Sequence, residues 1–386
     1  MRLKLRQRLA IALAKRLKRR LPQPDPAELG TDKIHRILAI SSTAIGDLLM
    51  STAGMSSLRL GYPNAHIDAL VPPLYTALLA NNPDIDDIIG YDNRWKTFCR
   101  TVWTLRKKHY DMVVVLHGNE PQITPLTVFI EARWRFKLPN DFPHRYLLSN
   151  SEVVYQWHDF SHGIDQRLAV ARLAGGLPRN HEMTLHISPE TQAALDQHLV
   201  EEFDIDPFAP LVAFQIGAST RERCWRPERF AELGHRLLKQ DSALKIILTG
   251  SPAEYALLNS VAKMLGEPDR VLVSAGQFPL SSLPALLRRC QILVTPDTGI
   301  MHMAIAVGTP TVSLFASADA TRSGPTVSPE KHIVIQKWRT CNPCFERRCK
   351  YANSICMDNI TVDEVYAACL QHLNINHRRD RDERSI

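Results

Sequence analysis

Asp297, Thr298, Gly299 and His302 follow an apolar run at residues 292–294 and open a short helical stretch that stops at Gly308-Thr309-Pro310. A turn of this kind sets a hydroxyl and small residues where the first backbone N–H groups of a helix point outward, which suits a phosphate. His302 falls in the first turn or so of that helix, close enough to face the bound group. An ordinary capped strand-to-helix turn would carry the same residues. Three further segments bear chemistry at equivalent places. Between Gly217 and Pro227 stand Ser219, Thr220 and Arg223, then Trp225 and a proline that opens a helix. Hydroxyls, amides and a bidentate cation are a sensible grip on a diphosphate, whereas a basic turn covered by a tryptophan is the plainer reading. Glu254, just past Thr249-Gly250-Ser251-Pro252, could accept hydrogen bonds from a ribose or a base, or serve the helix dipole alone. Asp47, next to Gly46 in a strand-to-helix loop, has the chemistry of a general base on a bound hydroxyl, and equally that of an N-cap.

The elements that must hold these residues follow from hydrophobic patterning. Apolar, strand-like runs occur at 37–41, 66–71, 85–91, 112–117 and 133–137, with helical patterns at 48–60, from Pro72, at 95–108 and at 165–174. A second series places strands at 211–216, 245–249, 271–274, 292–294 and 311–315, and helices at 227–239, 253–265, 281–289 and 300–307. The alternation predicts an α/β fold of two doubly wound parallel-sheet domains, 33–187 and 211–373. A polar helix and a proline-bearing stretch at 188–210 read as the linker, and a ligand is expected in a cleft between the two halves. No G-x-G-x-x-G fingerprint is present, which argues against nicotinamide chemistry.

At 386 residues, with 45% hydrophobic and 23% charged residues, two soluble domains are expected. The net charge of +7 is local: residues 1–21 hold nine Lys/Arg and no acid, leaving the rest at −2. A nucleic-acid-binding body is therefore not supported. Leu5, Leu9, Leu13, Leu17 and Leu21 recur at i+4 within the basic segment and predict an amphipathic helix suited to an anionic membrane surface. A docking helix or solvated tail is the alternative. The apolar core at 9–14 is too short for a signal peptide. Residues 22–32 form a proline-rich spacer, and the charged run at 374–386 reads as a disordered end. Of eight cysteines, Cys341, Cys344, Cys349 and Cys356 are spaced C-x2-C-x4-C-x6-C, which leaves structural zinc, a disulfide and reduced thiols all open.

In order and spacing these segments resemble glycosyltransferase family 9, the bacterial heptosyltransferases. The carriers are Ile45-Gly46-Asp47, Gly217-Ala218-Ser219 with the Trp225–Phe230 run, Thr249–Glu254, the long motif from Asp297 to Phe315, and Gly324-Pro325. The resemblance covers roughly residues 33–370. It implies a GT-B architecture and inverting transfer of a heptose from ADP-heptose to a lipid A-linked acceptor, without a metal or other cofactor. Asp47 would then be the base. Ser219, Thr220 and Arg223 would hold phosphates, Glu254 the nucleoside, and Asp297, Thr298, Gly299 and His302 the diphosphate and donor sugar. A similar cysteine cluster is common among such relatives. Departures lie beside the donor site: Arg223 where lysine is common, Ala316 where glycine is usual, and Ala318 and Ala320 where Thr and Pro are usual. The expectation is a peripheral enzyme at the cytoplasmic face of an inner membrane. Another nucleotide sugar, an epimerase of the same architecture and an idle nucleotide-sugar binder are the competing readings.

Overall fold

The computed structural model describes residues 4–21, 24, 29–30, 33–118, 121–139, 144–149, 155–316, 318–338, 349 and 355–383. Residues Met1–His186 and Ile187–Ile386 form two compact units.

The first unit contains α1 (Leu5–Lys18), β1 (Arg36–Ser41), α2 (Ile45–Gly61), β2 (His66–Val71), β3 (Asp87–Gly90), α3 (Trp95–Arg106), β4 (Met112–His117), α4 (Ile123–Phe129), β5 (Trp134–Lys137) and α5 (Gly163–Leu173). All strand pairs are parallel, in the order β3-β2-β1-β4-β5. Helices cover both faces of the sheet, so β1 and β4 read as near-continuous apolar runs rather than alternating ones. The chain starts at β1, winds outward to β3, then returns to β4, so the winding reverses between β1 and β4. Loops at the carboxyl ends of strands splay apart at such a reversal and leave room for a ligand.

The second unit contains α6 (Pro189–Phe203), β6 (Leu211–Gln215), α7 (Pro227–Gln240), β7 (Lys245–Thr249), α8 (Tyr255–Leu265), β8 (Val271–Val273), α9 (Leu283–Arg289), β9 (Ile292–Pro296), α10 (Gly299–Ala306), β10 (Thr311–Phe315), α11 (Ala320–Ser323), β11 (His332–Gln336), α12 (Ile355–Asp358) and α13 (Val362–Glu383). Its parallel sheet runs β11-β10-β9-β6-β7-β8, the six-strand doubly wound order, and reverses between β6 and β9.

Several expectations are redrawn. The stretch from Pro72 is a 3-10 helix, Pro73–Leu79, in which only Leu78 and Leu79 are buried. Helix α4 and edge strand β11 carried no distinct signal. The segment read as a linker includes α6, whose Leu195 and Leu199 are buried within the second unit. The closing helix continues to Glu383, into the charged run expected to be disordered.

The basic helix α1 packs on the first unit through Ala10, Ile11 and Ala14, not through the whole leucine stripe. Ala14 joins Val128 and Leu147, with Leu17, Leu21, Phe129 and Tyr146 around them. Lys18 Nζ donates to the Tyr146 carbonyl, and Arg6 lies over the Trp95 ring at 5.7 Å. The division follows from helix geometry: each i+4 step turns by about 40°, so the five leucines twist through roughly 160°. Leu17 and Leu21 turn inward, while Leu5, Leu9 and Leu13 remain exposed.

Candidate functional site

Asp47 occupies the third position of α2, at the β1–β4 reversal; it is therefore neither a loop residue nor an N-cap, the cap position being Ala44. Thr43 Oγ1 donates to Asp47 Oδ2 at 2.8 Å and contacts His117 Nδ1 at 2.6 Å. Arg167 Nη2 donates to Asp47 Oδ1 at 2.8 Å, and His117 Nε2 lies 3.6 Å from the same oxygen. The Arg167 side chain is 4% exposed and that of Asp47 26%, so a buried cation holds a carboxylate with one side open.

Three packing features build this group. A shift in the β1–β4 register between Ile40 and Ser41 sets Ser41 opposite His117, and Ser42 N–H donates to the His117 carbonyl at 3.0 Å. Helices α2 and α5 pack closely because Gly54 has no side chain: a Cβ there would lie 2.7 Å from Leu116 Cδ2 and 3.3 Å from the Arg167 carbonyl oxygen. Arg167 Nη1 is anchored on the Gly163 carbonyl at 2.8 Å.

The electrostatics follow from this burial. Desolvation first, then Arg167 and Lys137, hold His117 down at about 4 against the pull of Asp47, so its imidazole is neutral at neutral pH. Burial pulls the Arg167 guanidinium below its ordinary value and Asp47 pushes back. Burial raises the Tyr75 hydroxyl; the Ile45 backbone N–H opposes that rise and nearby Asp47 adds to it. A carboxylate anchored in this way can accept a proton from a hydroxyl brought to its open side.

In the second unit the expected residues also gather at the reversal, after β6, β7 and β9. Trp225 is fully buried and donates Nε1–H to the Ile360 carbonyl at 3.0 Å, so it pins the 217–227 segment from below. Ser219 above it is exposed, and Thr220 and Arg223 are half-buried. Arg223 Nη1 lies 3.2 Å from Asp297 Oδ2. Asp297 is only 7% exposed; burial pushes its carboxyl above the usual range and Arg223 works against that.

Glu254 Oε2 accepts from the Ser251 N–H and hydroxyl, both at 2.7 Å, which fixes the carboxylate over the end of β6. A Cβ on Gly217 would fall 1.5 Å from Glu254 Oε1. Only glycine leaves that space. Thr298 is the N-cap position of α10 but makes no side-chain cap; its hydroxyl lies 3.3 Å from Thr295 Oγ1. Gly299 opens the helix, and His302 is buried one turn further on.

Among the described residues, His66, Asp68 and Asp87 bring three possible metal-ligand atoms within 4.8 Å of one another. They lie at the amino ends of β2 and β3, away from both reversals, and Asp68 already takes Lys108 at 2.9 Å and Arg36 at 3.5 Å. The expectation for Cys341, Cys344, Cys349 and Cys356 lies outside the described residues, since the first two are not among them. Sequence reasoning missed Thr43, His117 and Arg167. His117 ends an apolar strand and Thr43 follows one, a position worth inspection in any doubly wound sheet. Arg167 carried no signal, being one of two arginines within an ordinary helix.

Residues 99–355 match the model of glycosyltransferase family 9 (heptosyltransferase). The chain is 25% identical over 315 residues to lipopolysaccharide heptosyltransferase 2 of Escherichia coli strain K12, spanning 78% of this chain and 87% of that protein. Its fold matches the solved E. coli ADP-heptose lps heptosyltransferase II with a TM-score of 0.73 at 22% identity, over 88% of this chain and 99% of that one. A family 9 glycosyl transferase from Veillonella parvula matches with a TM-score of 0.75 at 22% identity, over 90% and 99%. Two Rossmann-like units and these matches define a glycosyltransferase of the GT-B class. The chain belongs to glycosyltransferase family 9, the heptosyltransferases. Its relatives support heptosyl transfer in lipopolysaccharide assembly as the general activity.

Proposed function

We propose that the protein transfers a heptose from ADP-heptose to a lipid A-linked core oligosaccharide, by direct displacement with inversion and without a metal ion. The observation that carries this reading is Asp47: one oxygen is held by buried Arg167, the other by Thr43, and one side remains open. That is how a general base must be held to meet a hydroxyl in one orientation. Asp47 takes the acceptor proton as the acceptor oxygen attacks the anomeric carbon, and the bond to the phosphate oxygen breaks on the opposite face. Charge then develops on the leaving diphosphate. Arg223, the hydroxyls of Ser219 and Thr220, and the first N–H groups of α10 at Thr298 and Gly299 are the groups to meet it. Glu254 takes the nucleoside, Asp297 and His302 the donor sugar. The ADP-heptose named for the solved E. coli relative supports the choice of donor.

The acceptor is lipid-linked, so the enzyme works at a surface. No described helix is long and apolar enough to cross a membrane. The exposed Leu5, Leu9 and Leu13, beside the cations of α1, supply apolar contact and charge for the anionic inner face of the cytoplasmic membrane. A thermal-shift series with ADP, ADP-heptose, UDP and GDP tests the donor. Stabilisation by the adenine nucleotides supports the reading, and stabilisation by UDP or GDP alone overturns it.

A further inference from the structure

We propose that His117 is a proton-relay residue of the transfer step: the proton that Asp47 takes from the acceptor hydroxyl crosses to His117 Nε2 and leaves from there to solvent. This rests on Asp47 being the base. The argument begins with one hydrogen. The Thr43 hydroxyl donates to Asp47 Oδ2, and a hydroxyl has a single proton to give. Its second contact, 2.6 Å to His117 Nδ1, is therefore a bond in which Nδ1–H donates to Oγ1. The tautomer follows from the network: Nδ1 carries the hydrogen and Nε2 the lone pair.

That lone pair lies 3.6 Å from Asp47 Oδ1, so two acceptors face one small space with no hydrogen between them. A hydroxyl or a carboxyl proton fills that need. Four groups face the imidazole: Asp47 from α2, Thr43 from the preceding loop, Arg167 from α5 and Lys137 from β5. Burial first, then Arg167 and Lys137, keep His117 neutral beforehand, so Nε2 holds its lone pair.

Arg167 bears on both ends of the transfer: it disfavours charge on His117, and it needs the Asp47 carboxylate as its partner. Once Asp47 is protonated, a buried guanidinium has lost its counter-charge, an arrangement that burial strongly disfavours. Restoring the pair requires the proton to move, and Nε2 stands 3.6 Å away, a gap that one water or a small side-chain shift closes. The balance is complete: the acceptor O–H breaks, the new C–O bond forms, and the departing diphosphate keeps the electron pair of the broken bond. The proton passes from Asp47 Oδ1 to Nε2. The imidazolium is then held through Nδ1–H, Thr43 and the Asp47 carboxylate, and its side chain, 35% exposed, releases the proton to water.

Two measurements on the full chain test this. Nitrogen-15 NMR at neutral pH should show His117 as the Nδ1–H tautomer; an Nε2–H tautomer overturns the relay. His117→Asn keeps an N–H for Thr43 but has no Nε2. With ADP-heptose and lipid A-linked acceptors carrying no heptose, one or two, it should lower kcat about 10- to 100-fold. Donor KM should stay unchanged, the solvent deuterium isotope effect should rise, and added imidazole should restore part of the rate. His117→Gln serves if the first variant does not fold. Unchanged kcat and isotope effect overturn the relay. Asp47→Asn in the same assay separates the two ideas: transfer that survives it overturns the base assignment and the relay with it, whereas transfer lost there but intact without His117 overturns the relay alone.

Discussion

Arg167 and Asp47 are 120 residues apart in the chain, yet Nη2 of one donates to Oδ1 of the other at 2.8 Å. The pair ties α5 to the first turn of α2 and aims the carboxylate. Arg167→Met should unfold more easily by about 3–4 kcal/mol, the lower part of the range for a broken buried pair because Asp47 can still hydrate. It should also lose transfer by about 100-fold. Arg167→Lys should recover only part, since an ammonium lacks the planar fork that meets Asp47 and the Gly163 carbonyl from two separate nitrogens. Denaturant melts and initial rates check both numbers; wild-type rates in Arg167→Met would contradict the arrangement.

Asp47→Ala should lower kcat by about 10²–10⁴-fold while leaving ADP affinity intact. Asp47 belongs to the first unit and the expected nucleotide groups to the second, so calorimetric titration with ADP should not distinguish the variant from the parent.

Gly217→Ala introduces a Cβ 1.5 Å from where Glu254 Oε1 sits. The carboxylate must swing away and give up its two bonds to Ser251. ADP affinity should fall roughly tenfold or more, by the cost of a lost charge-assisted hydrogen bond. Equal ADP affinities in Gly217→Ala and the parent would remove Glu254 from the nucleotide site.

Stability of the second unit should depend on pH through His332. Burial holds it down at about 4, and Thr311 Oγ1 contacts its Nδ1 at 3.0 Å. The unfolded chain takes up this proton near 6.5 and the folded chain only near 4, so the contribution is present above pH 6.5 and lost as pH falls toward 4. Its size is on the order of 3 kcal/mol. His332→Gln should flatten the decline in melting temperature across that window. His117 acts in the same direction in the first unit, with less weight because it is partly exposed.

Leu5→Glu, Leu9→Glu and Leu13→Glu together should reduce sedimentation with anionic vesicles without changing the melting temperature, because these side chains face solvent. Ala14→Glu, buried against Val128 and Leu147, should instead detach the helix and lower stability. Equal binding of the triple variant and the parent to vesicles with and without phosphatidylglycerol would sink the membrane role.

Much of this protein can be read from local sequence. The strand at 112–117 is six residues with no polar interruption before His117, and a parallel sheet covered on both faces is the environment that permits it. The turns at Gly217, Thr249 and Asp297 announce themselves through glycine, hydroxyl and proline chemistry at strand ends, because backbone geometry there depends on neighbours within a few residues. Periodicity also proposed a helix in the basic segment. Its docking face was not legible, because the slow twist of an i+4 stripe divides the leucines only once α4 and Tyr146 stand beside them. The order of the strands, the reversal that joins Asp47 to His117 and the pairing of Arg223 with Asp297 depend on residues distant in the chain. Arg167 is the clearest case: its charge is costly to bury without a partner, and only the packing of α5 on α2 at Gly54 supplies Asp47 as that partner.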